Sequence, residues 1–185
     1  MTEAEKKWNA LKVHDKHYCD HHHPVNFNVG KIAGGDWASS VPSWCTFDMR
    51  VGVLPTQTLK ECRQEVEDTI RQAAANDPFL GNNLPTISWE GFQAEPYVLK
   101  NHEHVRDILA DAHKTVFGAE LDDRRTTGTT DARFFGLYAG LPALVYGPQS
   151  DDVHGFDERV NLESIRKITQ STALFIAEWC GLQKA

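Results

Sequence analysis

The stretch Tyr146-Gly-Pro-Gln-Ser-Asp-Asp-Val-His154-Gly-Phe-Asp-Glu158 decides how this chain is read. It follows a short apolar run, Pro142-Ala-Leu-Val-Tyr146, that reads as a buried strand of parallel type. It precedes a helix opening at Asn161. A histidine on a loop at the end of such a strand sits where open α/β sheets place ligands. Neutral imidazole is a good ligand for zinc, and its second nitrogen is commonly oriented by a carboxylate. Asp151, Asp152, Asp157 and Glu158 are all near His154 in sequence. Spacing alone leaves the plainer reading open, a solvated loop histidine among acids. No second cluster of histidine and carboxylate completes a site around it.

Working outward, the second half is rich in helix. Asn101 is placed to cap a helix whose apolar face is Val105, Ile108, Leu109, Ala112 and Val116, with Gly118 as its stop. Residues 130–138 form a short helix ended by Gly140 and Pro142. The last helix is expected to bury Leu162, Ile165, Ile168, Thr172, Phe175 and Trp179.

The first half carries antiparallel signals. Residues 1–12 read as a helix with Trp8 and Leu11 on one side. Val25, Phe27 and Val29 alternate with polar residues, and Gly34-Gly35-Asp36 marks a turn. Cys45, Phe47, Met49, Val51 and Val53 then alternate again, as in a half-buried strand. Thr58-Leu-Lys-Glu61 is a capping-box pattern opening a helix. Residues 86–92 read as a further strand. Pro96 interrupts the pattern, which places a junction between residues 1–95 and 96–185.

Composition narrows the function classes. The net charge of −7 comes with scattered Lys and Arg, which argues against a nucleic-acid or anionic-membrane surface. No apolar run approaches the length a spanning helix needs. Cys19, Cys45, Cys62 and Cys180 form no C-x-x-C pair, and the last three fall in amphipathic patterns, as buried free thiols do. A cytoplasmic location fits these features.

Other constellations have both a functional and a structural reading. Thr126-Thr-Gly-Thr-Thr-Asp131 runs into a helix, where outward amides would bind a carboxylate, or where Thr129 or Thr130 simply caps. Arg50 lies on a polar strand face beside Asp48. It could clamp a carboxylate bidentately or pair with a neighbouring acid. His21-His22-His23 cannot all converge on one ion from an extended chain, which favours a loop without metal. No nucleophile-and-base pair stands out, so no catalytic residue is assigned.

Five segments in order resemble the di-zinc aminoacylase, acetylornithine deacetylase and succinyl-diaminopimelate desuccinylase family of metallopeptidases. They are Asn26-Phe-Asn-Val-Gly-Lys-Ile-Ala-Gly-Gly-Asp-Trp-Ala-Ser-Ser-Val-Pro42 with Phe47-Asp-Met-Arg50, then Thr127-Gly-Thr-Thr-Asp-Ala-Arg-Phe134, Gly140-Leu-Pro-Ala-Leu-Val-Tyr-Gly-Pro148 and Val153-His-Gly-Phe-Asp-Glu158. The likeness spans residues 20–185. It implies an α/β fold overall. Residues 1–95 would be a partial α+β lid or dimerisation domain with its first strand missing. Residues 96–185 would be the C-terminal part of a zinc-peptidase α/β catalytic domain. It also implies two zinc ions, or cobalt, with His154 as the last metal ligand. Gly128, Thr129 and Arg50 would contact the carboxylate end of an N-acyl amino acid substrate, and the lid would make a homo-oligomer.

The same resemblance implies groups this sequence lacks. The family's first metal histidine, bridging aspartate, paired glutamates and lid histidine have no counterpart motif here. The chain is therefore expected to be the C-terminal portion of such an enzyme, with weak zinc binding and no deacylase activity by itself. Two alternatives stand beside that expectation: a non-catalytic dimerisation or ligand-binding fragment, and a subunit completed by a separate N-terminal chain.

Overall fold

Local sequence accounts for most of the helix ends. The structure is a computed structural model and describes residues 2–183. Helix α1 covers Thr2–Leu11, so Met1 of the expected helix lies outside the described residues. Strands β1 (Phe27–Gly34) and β2 (Cys45–Val51) follow, then α2 (Leu59–Ala75). Thr58 Oγ1 accepts from the Glu61 N–H at 3.2 Å and Glu61 Oε2 accepts from the Thr58 N–H at 2.9 Å, the reciprocal cap its spacing predicts. Next come α3 (Glu103–Phe117), α4 (Ala132–Ala139), the two-residue strands β3 (Ser150–Asp151) and β4 (Arg159–Val160), and α5 (Leu162–Cys180). Gly118 and Gly140 close α3 and α4 in the left-handed conformation, where a Cβ would be strained.

The chain divides into two units, Met1–Pro96 with Arg125–Thr129, and Tyr97–Arg124 with Thr130–Ala185. In the first unit β1 and β2 form an antiparallel ribbon, with Phe27 opposite Val51 and Gly34 opposite Cys45. The register shifts between Val29 and Lys31, which keeps Ile32 opposite Phe47 and on the face of Val29 and Met49. The proximal end of that face packs on the helices. Trp8, Val25, Leu54, Cys62 and Val66 are buried there, with Phe27, Met49, Val51 and Ile70 against them. Trp8 meets Phe27 edge to face at 5.0 Å.

Several expectations differ from the structure here. The β2 strand is mostly exposed instead of half-buried, because none of the described residues buries its distal end at Cys45 and Phe47. Residues 86–92 form no strand. Trp89 anchors them by packing on the core and donating to Glu67 Oε1 at 2.8 Å. Leu11 is exposed at the edge of α1. Of the three cysteines expected inside, only Cys62 is buried, while Cys45 and Cys180 are exposed.

In the second unit α3 packs on α5. Val105, Leu109 and Ala112 are the buried side of α3. Asn101 does not cap it. His102 occupies that position without a side-chain cap, and Asn101 takes φ of 51°. On α5 the buried residues are Ser164 and Ser171, flanked by half-buried Ile168 and Phe175. Leu162, Ile165, Thr172 and Trp179 are exposed, contrary to expectation, because α3 covers only one stripe of α5. Asn161 caps α5, its Oδ1 accepting from the Ser164 N–H at 2.9 Å. The expected buried strand at residues 143–145 is neither paired nor fully buried.

Candidate functional site

His154 occupies the turn of a small hairpin. β3 and β4 pair antiparallel, Ser150 opposite Val160 and Asp151 opposite Arg159. Arg159 Nε donates to Asp151 Oδ2 at 3.2 Å, so that acid is turned to the arginine. Between them Asp152 and His154 both adopt positive φ, 51° and 66°. The Gly155 N–H donates to the Asp152 C=O at 2.6 Å. A Cβ on Gly155 would lie 2.8 Å from that same oxygen, so the turn requires glycine there. A left-handed residue other than glycine costs about 1 kcal/mol, and such positions gather at functional sites. His154 is exposed on this turn, and its neighbours Asp151, Asp152, Asp157 and Glu158 are exposed too.

A two-ion centre needs several histidine and carboxylate ligands converging on each ion. Among the described residues no three His, Cys, Asp or Glu side chains come close enough to hold one. The residues present therefore do not fit the metal pair that the resemblance implies, and His154 is a single donor.

The remaining candidates lie in the first unit. Arg50 is exposed on β2, across from Asn28. Asp48, on the same face, takes Lys31 as its partner at 3.6 Å, so the neighbouring acid does not hold Arg50. Gly128 donates its N–H to Thr126 Oγ1 at 3.0 Å, and Thr129 is exposed beside it. Helix α4 is capped by neither Thr129 nor Thr130. Asp131 holds the cap position without a side-chain cap bond. The chain is tied near this loop by Arg125 Nη1 to Asp20 Oδ1 at 2.6 Å and by Tyr18 Oη to the Thr126 C=O at 2.7 Å. No hydrogen bond links Arg50 to Gly128 or Thr129 among the described residues. Two open hollows beside α2, of 420 and 710 Å³, are lined by none of the candidates.

Two buried ionisable side chains were given no role by the sequence. Arg133, at the start of α4, is buried. It donates from Nη1 to the Thr130 C=O at 3.2 Å, lies 3.7 Å from Asp131 Oδ1 and stacks over Phe134 at 4.1 Å. The Asp131-Ala-Arg133 spacing was the available signal. Asp15 is 1% exposed, with Oδ1 accepting from the His17 N–H at 2.8 Å and Oδ2 without a hydrogen-bond partner among the described residues.

The sequence matches peptidase family M20/M25/M40 over residues 4–178. Two relatives are N-formyl-4-amino-5-aminomethyl-2-methylpyrimidine deformylases. The one from Halalkalibacterium halodurans is 25% identical over 167 residues, covering 85% of this chain and 39% of that protein. The one from Bacillus subtilis strain 168 is 24% identical over 199 residues, covering 100% of this chain and 44% of that protein. The chain thus spans less than half the length of these curated relatives. No helix among the described residues is long and apolar enough to cross a membrane. With a match running through nearly every element described above, the chain belongs to peptidase family M20/M25/M40, a family of generally metal-dependent hydrolases.

Proposed function

We propose that this chain is the C-terminal portion of an M20 amidohydrolase that removes a small acyl group from an amine. The observation that carries this reading is the family match over residues 4–178, in a chain spanning 39% and 44% of its deformylase relatives. In the assembled enzyme His154 would be one metal ligand, presented outward by its left-handed turn. Arg50, Gly128 and Thr129 would meet the end of the substrate away from the scissile amide. The metal supplies the activated water in such chemistry. No hydrolytic step is assigned to this chain's own residues, because they do not assemble a centre.

The substrate class has two forms. An N-acyl amino acid gives Arg50 a carboxylate to clamp. The N-formyl aminopyrimidine named for the relatives offers no carboxylate in its name, and Arg50 would then have no such task. The test is hydrolysis of N-acetyl amino acids and of that formamide, with added zinc or cobalt. The chain is assayed alone and with the rest of an M20 protein supplied separately. Turnover only in the mixture supports the reading. Turnover by the chain alone removes the portion reading, and none with any substrate in an assembled mixture removes the hydrolase reading.

A dimerisation role has its own support. Val29, Ile32 and Phe47 share one face of the ribbon and are exposed, with Ile32 at 74%. An apolar patch on an open sheet suits a contact between copies. Light scattering that finds only monomer at tens of micromolar would remove this role.

A further inference from the structure

Residues 120–131 contain neither helix nor strand, so no backbone ladder places them. Within that stretch residues 125–129 group with residues 1–96, not with their chain neighbours. Arg50 belongs to that same unit. Side chains from residues 15–20 hold the loop there. Tyr18 Oη donates to the Thr126 C=O at 2.7 Å, and Arg125 Nη1 donates to Asp20 Oδ1 at 2.6 Å. These partners lie 108 and 105 residues apart, so nothing local produces the bonds.

Both tethers hang from a turn that is itself fixed. Asp15 is buried, its C=O accepts from the Tyr18 and Cys19 N–H groups at 3.1 and 2.9 Å, and its Oδ1 accepts from the His17 N–H. The Tyr18 ring packs against the buried cluster of Trp8, Val25, Leu54, Cys62 and Val66, which sets where its hydroxyl lies. Burial raises the Tyr18 phenol above its ordinary value and the Asp15 charge adds to this, so it remains a donor at neutral pH. The Arg125 bond holds the Asp20 carboxyl below its ordinary value, so that pair is ionised there. An exposed ion pair alone is a weak tie. The tyrosine bond adds a second point, which stops the loop swinging about the first. The Thr127 and Thr129 N–H groups have no hydrogen-bond partner among the described residues, which leaves donors on either side of Gly128 for a ligand oxygen.

We propose that Tyr18 and Asp20 are positioning residues that fix the loop of residues 125–129 in the unit carrying Arg50, so that Gly128 and Thr129 meet a substrate as a preset surface. This rests on the hydrolase-portion reading above. Neither residue touches substrate, and each acts through the loop it holds.

Backbone NMR relaxation of the 185-residue chain, and turnover when the rest of an M20 protein is supplied separately, test this. In the wild-type chain residues 126–129 show order parameters of about 0.85, as rigid backbone does, and in the double variant Tyr18→Phe, Asp20→Asn they fall below about 0.6. In the mixture the double variant raises KM about tenfold while kcat stays within about twofold, the split seen when binding remote from the reacting bond is lost. The exchanged pair, Asp20→Arg with Arg125→Asp, recovers what Asp20→Asn alone loses. Tyr18→Phe keeps the packed ring, and the thermal midpoint of each variant shows that it remains folded. A loop already mobile in the wild type, a loop that stays ordered in the double variant, an unchanged KM, or an exchanged pair that recovers nothing overturns the proposal. Any of these with turnover in the wild-type mixture leaves the hydrolase reading standing. No turnover in any mixture removes that reading and this proposal together.

Discussion

The side chain of Asn9 and the backbone of Val25 bond in both directions: the Val25 N–H donates to Asn9 Oδ1 at 3.1 Å, and Asn9 Nδ2 donates to the Val25 C=O at 2.7 Å. Both residues are buried. A carboxamide thus does for one residue what a neighbouring strand would do. Asn9→Ala strands a buried donor and a buried acceptor, at about 1–3 kcal/mol each, against roughly 0.6 kcal/mol regained in helix propensity. Chemical denaturation is expected to show a loss of about 2 kcal/mol or more. A change under about 0.5 kcal/mol would mean that water replaces the amide at no cost.

Glu5 gives the same helix an acid sensitivity. Its carboxyl sits below the ordinary 4.5, chiefly through the hydrogen bond with His23 Nε2 at 2.8 Å, and burial opposes that shift less strongly. A depressed carboxylate contributes stability that is present above its unfolded value and lost as pH falls through the folded one. The window is therefore the acid side, below about 4.5. The pair is partly exposed, so the effect is small. Thermal midpoints of wild type and Glu5→Gln should differ at pH 7 and converge below pH 4.5. A gap that widens on acidification would contradict this.

The thiols should separate by burial. Desolvation pushes the Cys62 thiol up to about 11, and the nearby Glu65 adds to it. Cys19, Cys45 and Cys180 are exposed. Since the thiolate is the nucleophile, maleimide at pH 7.5 should label those three in the native protein and Cys62 only after unfolding. Native labelling at Cys62 would show that the core opens.

Gly136 and Tyr97 are expected to be coupled. A Cβ on Gly136 would lie 2.1 Å from the Tyr97 ring, so the ring occupies the glycine's bare face. In a Tyr97→Ala background, Gly136→Ala should stabilise α4 by about 1 kcal/mol through helix propensity. With Tyr97 in place, that gain should shrink or reverse because the ring must leave. Equal gains in both backgrounds would show that the contact contributes nothing.

What could be read in advance was what closes within a few residues. The Thr58–Glu61 cap, the Asn161 cap and the Gly118 and Gly140 stops each use groups within one helical turn. Periodicity marked the apolar faces but not what would lie on them. Leu162 and Trp179 on α5, Cys45 on β2 and Val145 all carry a buried-type pattern and are exposed. The Asn9–Val25 bridge was illegible because its partners are 16 residues apart and nothing local demands it. Motif order pointed to the family, and it singled out His154 as a candidate. Its left-handed turn depends on Gly155 approaching Asp152, a backbone contact that spacing does not encode.

The most direct test is zinc stoichiometry of the 185-residue chain, by native mass spectrometry after equilibration with micromolar zinc and dialysis. An exposed His154 with no ligand cluster among the described residues should hold well under one ion per chain, and His154→Ala should change neither the fold nor any hydrolysis. Two ions retained per chain, with amide turnover that His154→Ala abolishes, would contradict the account.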